Sequence, residues 1–289
     1  MFSILIPTWN NLPYLQYCVR SIRNHSAFAH QIIVHINDGH DGTREWITEQ
    51  GIEHTASDAN IGICYAVNLA ASRARRDYIV YLNDDMVCCP NWDTALLERI
   101  KQIGHTMFML SGTMIEPVEG NPCVVASDFG RDIQTFREAE LLECAPSLIR
   151  ADWYGATWPP TVVHRDDWFK VGGYSSEFSP GMGSDNDFSI KMWHAGCRIF
   201  LGVGTSLVYH FQQKSTQRLI KKNKRRRQFL YKWGICSSDF NRLYLRRGAP
   251  VKAGQSALLD MPPFTPALRW ALLKSRIQRL FLALSCSET

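Results

Sequence analysis

Two adjacent aspartates, Asp84 and Asp85, close the apolar run "YIVYLN" within "YLNDDMVCCPNW". Neighbouring carboxylates at the end of a buried strand repel at low dielectric and need a positive partner. A hard divalent cation meets that need. Mg²⁺ in particular binds through one or two carboxylates and completes its shell with substrate phosphates, so the pair points to a phosphate-bearing ligand. The alternative is that Asp84 caps the following helix while Asp85 is solvated, as aspartates in strand-to-helix loops often are.

Such a pair works only if strands deliver it to a shared crevice. Four short runs rich in β-branched and aromatic residues alternate with helical patterns: "FSILIPT" (2–8), "QIIVHIN" (31–37), "IEHTAS" (52–57) and "YIVYLN" (78–83). Near-continuous apolar runs separated by helices read as parallel strands joined by right-handed crossovers. Leu12, Leu15, Val19 and Ile22 keep helical spacing, as do Ile63, Val67 and Ala70 after Gly62. The expectation is a doubly wound α/β fold with a mainly parallel sheet flanked by helices. Its ligands should bind beyond the carboxyl ends of the strands, where "TWNN" (8–11), "NDGHDG" (37–42), "SDANIG" (57–62) and "NDD" (83–85) lie. Residues 105–165 read as further strands and loops of undetermined order. "SDNDFSIKMWHAG" (184–196) reads as a helix, followed by a strand pair around "RIFLG" and "SLVYH".

With 45% hydrophobic and 20% charged residues over 289 positions, the chain is neither disordered nor fibrous and has room for a sizeable core. Nine scattered cysteines without a C-x-x-C pair suggest reduced thiols in the cytoplasm, not a disulfide framework or a zinc site. The apolar start ends at Pro7 without a basic leader, so the first residues are expected to belong to the fold. The net charge of +5 conceals an asymmetry: residues 212–289 hold 17 Lys and Arg against 3 Asp and Glu, leaving 15 against 24 in the rest.

"IPTWNN" (6–11), "NDGHDGT" (37–43), "NIGICYAVN" (60–68), "LNDD" (82–85), "VGGYSSEF" (171–178), "SDNDF" (184–188) and "VYH" (208–210) occur in this order. Together they resemble the family 2 glycosyltransferases of GT-A fold, over roughly residues 1–235 and ending at "YKWG". The resemblance implies a catalytic domain at 1–235, with a nucleotide-binding half at 1–104 and an acceptor-binding half at 105–235. A helical basic tail, 236–289, would follow. It implies Thr8 in the nucleotide cradle, Asp38 on the base, Asp84 on the ribose, Asp85 and His210 as the residues that hold Mn²⁺ or Mg²⁺ at the diphosphate, and Asp185 as general base of an inverting transfer. The donor would be a nucleoside diphosphate sugar and the acceptor a saccharide or lipid-linked saccharide.

Two departures stand out. Ser184 occupies the place of a usual Glu before the base, and "NDGHDGT" is one residue short, with His40 where a serine is usual. Trp153 and Trp158, flanking "YGAT", are candidates for stacking on an acceptor sugar, with a core role as the alternative. Asp187 reads as structural at its helix N-terminus, His164 as a surface residue, and Gly172 and Gly173 as a turn placing the acceptor loop. In the tail, Leu273, Ile277, Leu280 and Leu284 form one helical stripe with Arg269, Arg276 and Arg279 largely off it. That pattern suits either an anionic membrane surface or packing on the catalytic domain; no recognition motif accompanies it to suggest nucleic acid. The overall expectation is a cytoplasmic or peripheral-membrane enzyme. A non-catalytic nucleotide-sugar-binding or assembly protein is the alternative, and a nucleotidyltransferase is disfavoured by the lack of a Gly-rich, Lys-bearing phosphate loop.

Overall fold

The computed structural model describes residues 1–212, 224–252 and 254–286, with backbone only at 224, 225 and 283–286. Ten strands among the described residues form one sheet. They are β1 (Phe2–Trp9), β2 (Gln31–Asn37), β3 (Glu53–Ser57), β4 (Tyr78–Tyr81), β5 (Met86–Cys88), β6 (Met109–Glu116), β7 (Val124–Ala126), β8 (Trp153–Tyr154), β9 (Thr161–His164) and β10 (Phe200–His210). Their order is β3-β2-β1-β4-β9-β6-β10-β5, with β7 beside β6 and β8 beside β10.

The four expected strands form and pair in parallel, β3 on β2, β2 on β1 and β1 on β4. Seven of the eight β1 side chains are buried, because the sheet is covered on both faces. One face packs on the helices Leu12–His25 and Trp92–Ile103 through Leu15, Val19, Ile22, Leu96 and Ile100. The other packs on Ile63–Ala71 and Ser184–His194 through Cys64, Val67, Phe188 and Met192. The second half of the sheet is mixed: β9 runs antiparallel to β4 and β6, β5 antiparallel to β10, and β6 parallel to β10.

One expectation fails here. The strand pair around "RIFLG" and "SLVYH" is a single strand, β10, with a register shift between Val203 and Leu207. Its glycines do not make a turn. A side chain at Gly202 would run into the Trp153 ring, and one at Gly204 into the Arg150 carbonyl, so both admit neighbouring chain against a continuous strand. The same contact removes Trp153 from the acceptor candidates. Its indole is 3% exposed and donates from Nε1 to Thr113 Oγ1 at 2.9 Å, inside the core.

Side chains of residues 236–252 and 254–259 pack into the same core. Phe240, Leu245 and Leu259 join the cluster beneath the helix Ser184–His194, and Leu259 N donates to Arg198 O at 2.8 Å. The boundary expected at 235 therefore marks no break in packing. Asp187 is fully buried and ties its helix to the segment Lys224–Trp233. Trp233 Nε1 donates to its Oδ1 at 2.8 Å, and Lys232 Nζ lies at 2.8 Å from the same oxygen. The role is structural as expected: Asp187 lies in the first turn of its helix and also anchors a distant segment of the chain. Leu284 and residues 221–223 of the basic run lie outside the described residues or side chains.

Candidate active site

The polar ends of the parallel strands converge. Thr8 Oγ1, at the end of β1, donates to Asp84 Oδ2 at 2.7 Å. Asn37, at the end of β2, bridges its neighbours: its Nδ2 donates to Thr8 O at 3.2 Å and its Oδ1 accepts from Ile61 N at 3.0 Å. Asp38 follows with a left-handed φ of +68° and accepts from Asn10 Nδ2 at 3.0 Å. Asn10 Oδ1 in turn accepts from the backbone of Gly39 and His40. Arg44 donates from Nε to Asp38 O at 2.6 Å and from Nη2 to Ser57 O at 2.8 Å, so the shortened loop is braced from two strands. His40 pairs with the Asp38 carboxylate while its imidazole is largely exposed.

Asp85 is buried and Asp84 partly so. Burial, and then the like charge of Asp85, push the Asp84 carboxyl well above its ordinary range, against the hydrogen bonds from Thr8 and Asn11. His210, at the end of β10, stands across from the pair, its Nε2 at 3.4 Å from Asp85 Oδ1. Its Nδ1 meets Glu116 Oε1 at 2.8 Å. Burial disfavours the imidazolium, but Asp85 and Glu116 outweigh it and raise its pKa to about 10.

Glu116 was not singled out by sequence reasoning, although it ends the apolar run of β6 as Asp84 ends that of β4. Its meaning comes from pairing, since Ile115 sits opposite Tyr209 in the parallel register and brings Glu116 beside a histidine 94 positions away.

Among the described residues no three His, Cys, Asp or Glu side chains surround one ion position. The donors nonetheless suit a hard cation that takes most of its shell from phosphate and water: two adjacent carboxylates, one of them raised in pKa by the charge of the other.

Asp185 lies in the first turn of the helix Ser184–His194. Burial raises its pKa to about 7, opposed by the Tyr174 hydroxyl, which donates to Oδ1 at 2.9 Å, and by its own N–H. Tyr174 is itself pinned from the helix Ile63–Ala71. Asn68 Oδ1 accepts from Tyr174 N at 2.9 Å and Asn68 Nδ2 donates to Tyr174 O at 2.7 Å. Gly173 precedes it with φ +56°, where a side chain would strike Asn68 Oδ1, so the expected turn is a close approach as well as a bend. Ser184 is buried and its hydroxyl donates back to Gly181 O, closing the loop ahead of the helix.

Tyr174→Phe keeps the ring in its aromatic cluster and removes one hydrogen bond that favours the carboxylate. The sign follows: the Asp185 pKa rises further, by roughly one unit for a bond of this class. The acidic limb of the pH profile then moves up by the same amount while activity well above it recovers. Cys64 and Tyr81 also face Asp185, and burial keeps both protonated through this range, so they do not shape the limb. An unmoved limb would show that Tyr174 does not act on Asp185.

A cleft of about 460 Å³ joins the two sides, lined by Asp185, His210, Glu116, Asn83 and Trp158 among others. Trp158 thus remains at the site while Trp153 does not, and the Arg247 guanidinium stacks 4.2 Å from its ring centroid. His164 is half-buried and caps the next helix, accepting from Asp166 N at 3.3 Å.

Residues 3–125, which include Thr8, Asp38, Asp84 and Asp85, match the family described as glycosyl transferase family 2. The chain is 23% identical over 257 residues to chondroitin synthase of Escherichia coli, covering 76% of this chain and 37% of that one. Among solved structures it is similar to GalNAc-T7 with UDP, GalNAc and Mn²⁺, at TM-score 0.55 and 15% identity, covering 73% of this chain and 43% of that one. The 1–349 portion of S. aureus TarS gives TM-score 0.49 and 13% identity, covering 73% and 58%. The chain thus spans less than two thirds of each relative's length. It has the GT-A fold, and its residues 3–125 are similar to the glycosyl transferase family 2 domain.

Proposed function

We propose that the chain is a metal-assisted, inverting glycosyltransferase that moves a sugar from a nucleoside diphosphate to a hydroxyl of a saccharide, free or lipid-linked. The observation that carries this reading is that Asp185, Glu116 and His210 line one cleft, with Asp85 held 3.4 Å from His210 behind it. Thr8, Asp38 and Asp84 hold the nucleoside. Asp85 and His210, with Asp84 beside them, would hold Mn²⁺ or Mg²⁺, which as a Lewis acid would offset charge on the departing diphosphate. The similar fold of GalNAc-T7, solved with UDP and Mn²⁺, supports that assignment.

The chain's own groups perform the rest. With Oδ1 of Asp185 engaged by Tyr174, Oδ2 receives the acceptor proton as the acceptor oxygen bonds to the anomeric carbon. The bond from that carbon to the phosphate oxygen breaks with its electron pair leaving on the diphosphate. His210 meets Glu116 through Nδ1 and faces Asp85 through Nε2, and would help hold that ion at the leaving-group end. Attack and departure on opposite faces invert the anomeric carbon. We place this activity in the cytoplasm, free or at a membrane surface.

The test is a panel of nucleoside diphosphate sugars incubated with the protein and Mn²⁺. An enzyme releases nucleoside diphosphate from its own donor, at least by slow hydrolysis. Donor binding without any release would favour the non-catalytic sugar-nucleotide binder.

A further inference from the structure

The helix Pro266–Cys286 has two apolar faces, and only one is used by the fold. Leu268, Ala271 and Ser275 are buried against the body, where Cys236 Sγ meets Gln278 Oε1 at 3.4 Å. At 100° per residue the opposite face carries Trp270, Leu273, Ile277, Leu280 and Phe281, which are between 43% and 69% exposed. A helix of a globular domain normally turns its apolar stripe inward and presents charge to water. Here Leu268, Ala271, Leu272 and Ser275 face the body while five large apolar side chains remain outside, and a contiguous exposed stripe of this kind marks an interaction surface.

Charge identifies the partner. Arg269 and Arg276 run along one edge of the stripe and Lys274 along the other, and residues 266–286 contain no Asp or Glu. Phe264 extends the surface beyond the helix start, with the Arg269 guanidinium 4.8 Å from its ring centroid. Apolar insertion flanked by bases suits an anionic lipid surface. A second copy fits poorly, because a two-fold seam along the stripe would bring the same bases together with no acid between them. Spanning is not the mode either: no helix among the described residues is long and apolar enough to cross a membrane.

We propose that this face docks on anionic phospholipid, with the helix lying in the membrane plane and the stripe from Trp270 to Phe281 inserted among the headgroups. The helix rests on the segment Lys224–Trp233, the Arg279 guanidinium lying 5.9 Å from the Tyr231 ring centroid. Lys232 and Trp233 in turn hold Asp187, two positions from Asp185. The docked face and the carboxylate are therefore joined by one run of contacts, which favours an acceptor carried on lipid. That acceptor assignment rests on the glycosyltransferase reading; lipid docking does not.

The experiment is cosedimentation of the full chain with vesicles of phosphatidylcholine alone and of phosphatidylcholine mixed with phosphatidylglycerol. The chain should pellet with the mixed vesicles and far less with the neutral ones. Arg269→Gln and Arg276→Gln should each weaken binding to mixed vesicles roughly fivefold, and Leu280→Ser or Phe281→Ser at least tenfold. These side chains are exposed, so the variants should keep the thermal midpoint and the nucleotide release of the parent. Equal pelleting with both vesicle types, or Leu280→Ser binding like the parent, overturns the proposal. So does concentration-dependent self-association that Leu280→Ser abolishes, which would give the face to a second copy. Lost docking with nucleotide release intact leaves the transfer reading standing, and docking without release does the reverse.

Discussion

Asp185→Asn lowers transfer turnover by about 10²- to 10⁴-fold, the usual cost of removing a general base, while donor affinity stays near that of the parent. The substitution is nearly isosteric and an amide oxygen can still accept from Tyr174, so the helix start and its neighbours stay in place. What disappears is a group able to take a proton. In the parent, burial holds the Asp185 pKa at about 7, so the ionised base is populated only as pH rises through neutrality and the rate should rise with it. The variant has no such group and its residual rate should lack that limb. Donor affinity and turnover measured side by side decide the matter. Near-normal turnover would take Asp185 out of the role, and a collapse of donor affinity would show that it had been holding the nucleotide.

How far the sequence carries depends on which contacts are local. β1, β2 and β4 are legible because a strand covered on both faces must be apolar along its length, and β1, with seven of eight residues buried, shows why "FSILIPT" reads as a strand. The clustering of Thr8, Asn37, Asp38 and Asp84 is legible too, since parallel strands place their carboxyl ends along one edge. Trp153 and β10 were misread together, and for one reason. Gly202 and Gly204 look like a turn in a sequence, but they exist to let the Trp153 ring and the Arg150 carbonyl lie against an unbroken strand. Glu116 and the Tyr174 hydroxyl are a different case, since each acquires its role from a partner in another segment. The outward stripe of the last helix shows a further limit: periodicity reveals that Leu273, Ile277 and Leu280 share a face, but not whether that face meets the body or the solvent.

Asp85→Asn separates the leaving-group end from the base end. The amide can still accept from His210 Nε2, which lies 3.4 Å from Asp85 Oδ1, so the local geometry survives and the loss reports charge. A neutral side chain is a far poorer partner for a hard cation than a carboxylate, which leaves His210 and Asp84 to hold it. Turnover should fall by about 10²- to 10³-fold, the range seen when one preorganised stabiliser of developing negative charge is removed. Unlike Asp185→Asn, this variant should also lose most of the Mn²⁺-dependent gain in donor affinity, measured by titrating the nucleotide sugar with and without the metal. The two variants thus fail in complementary ways, one keeping metal-assisted binding without transfer and the other losing both. If Asp85→Asn bound donor with its Mn²⁺ dependence intact, the carboxylate pair would not hold the cation. The positive charge at the diphosphate would then have to come from groups of the protein itself.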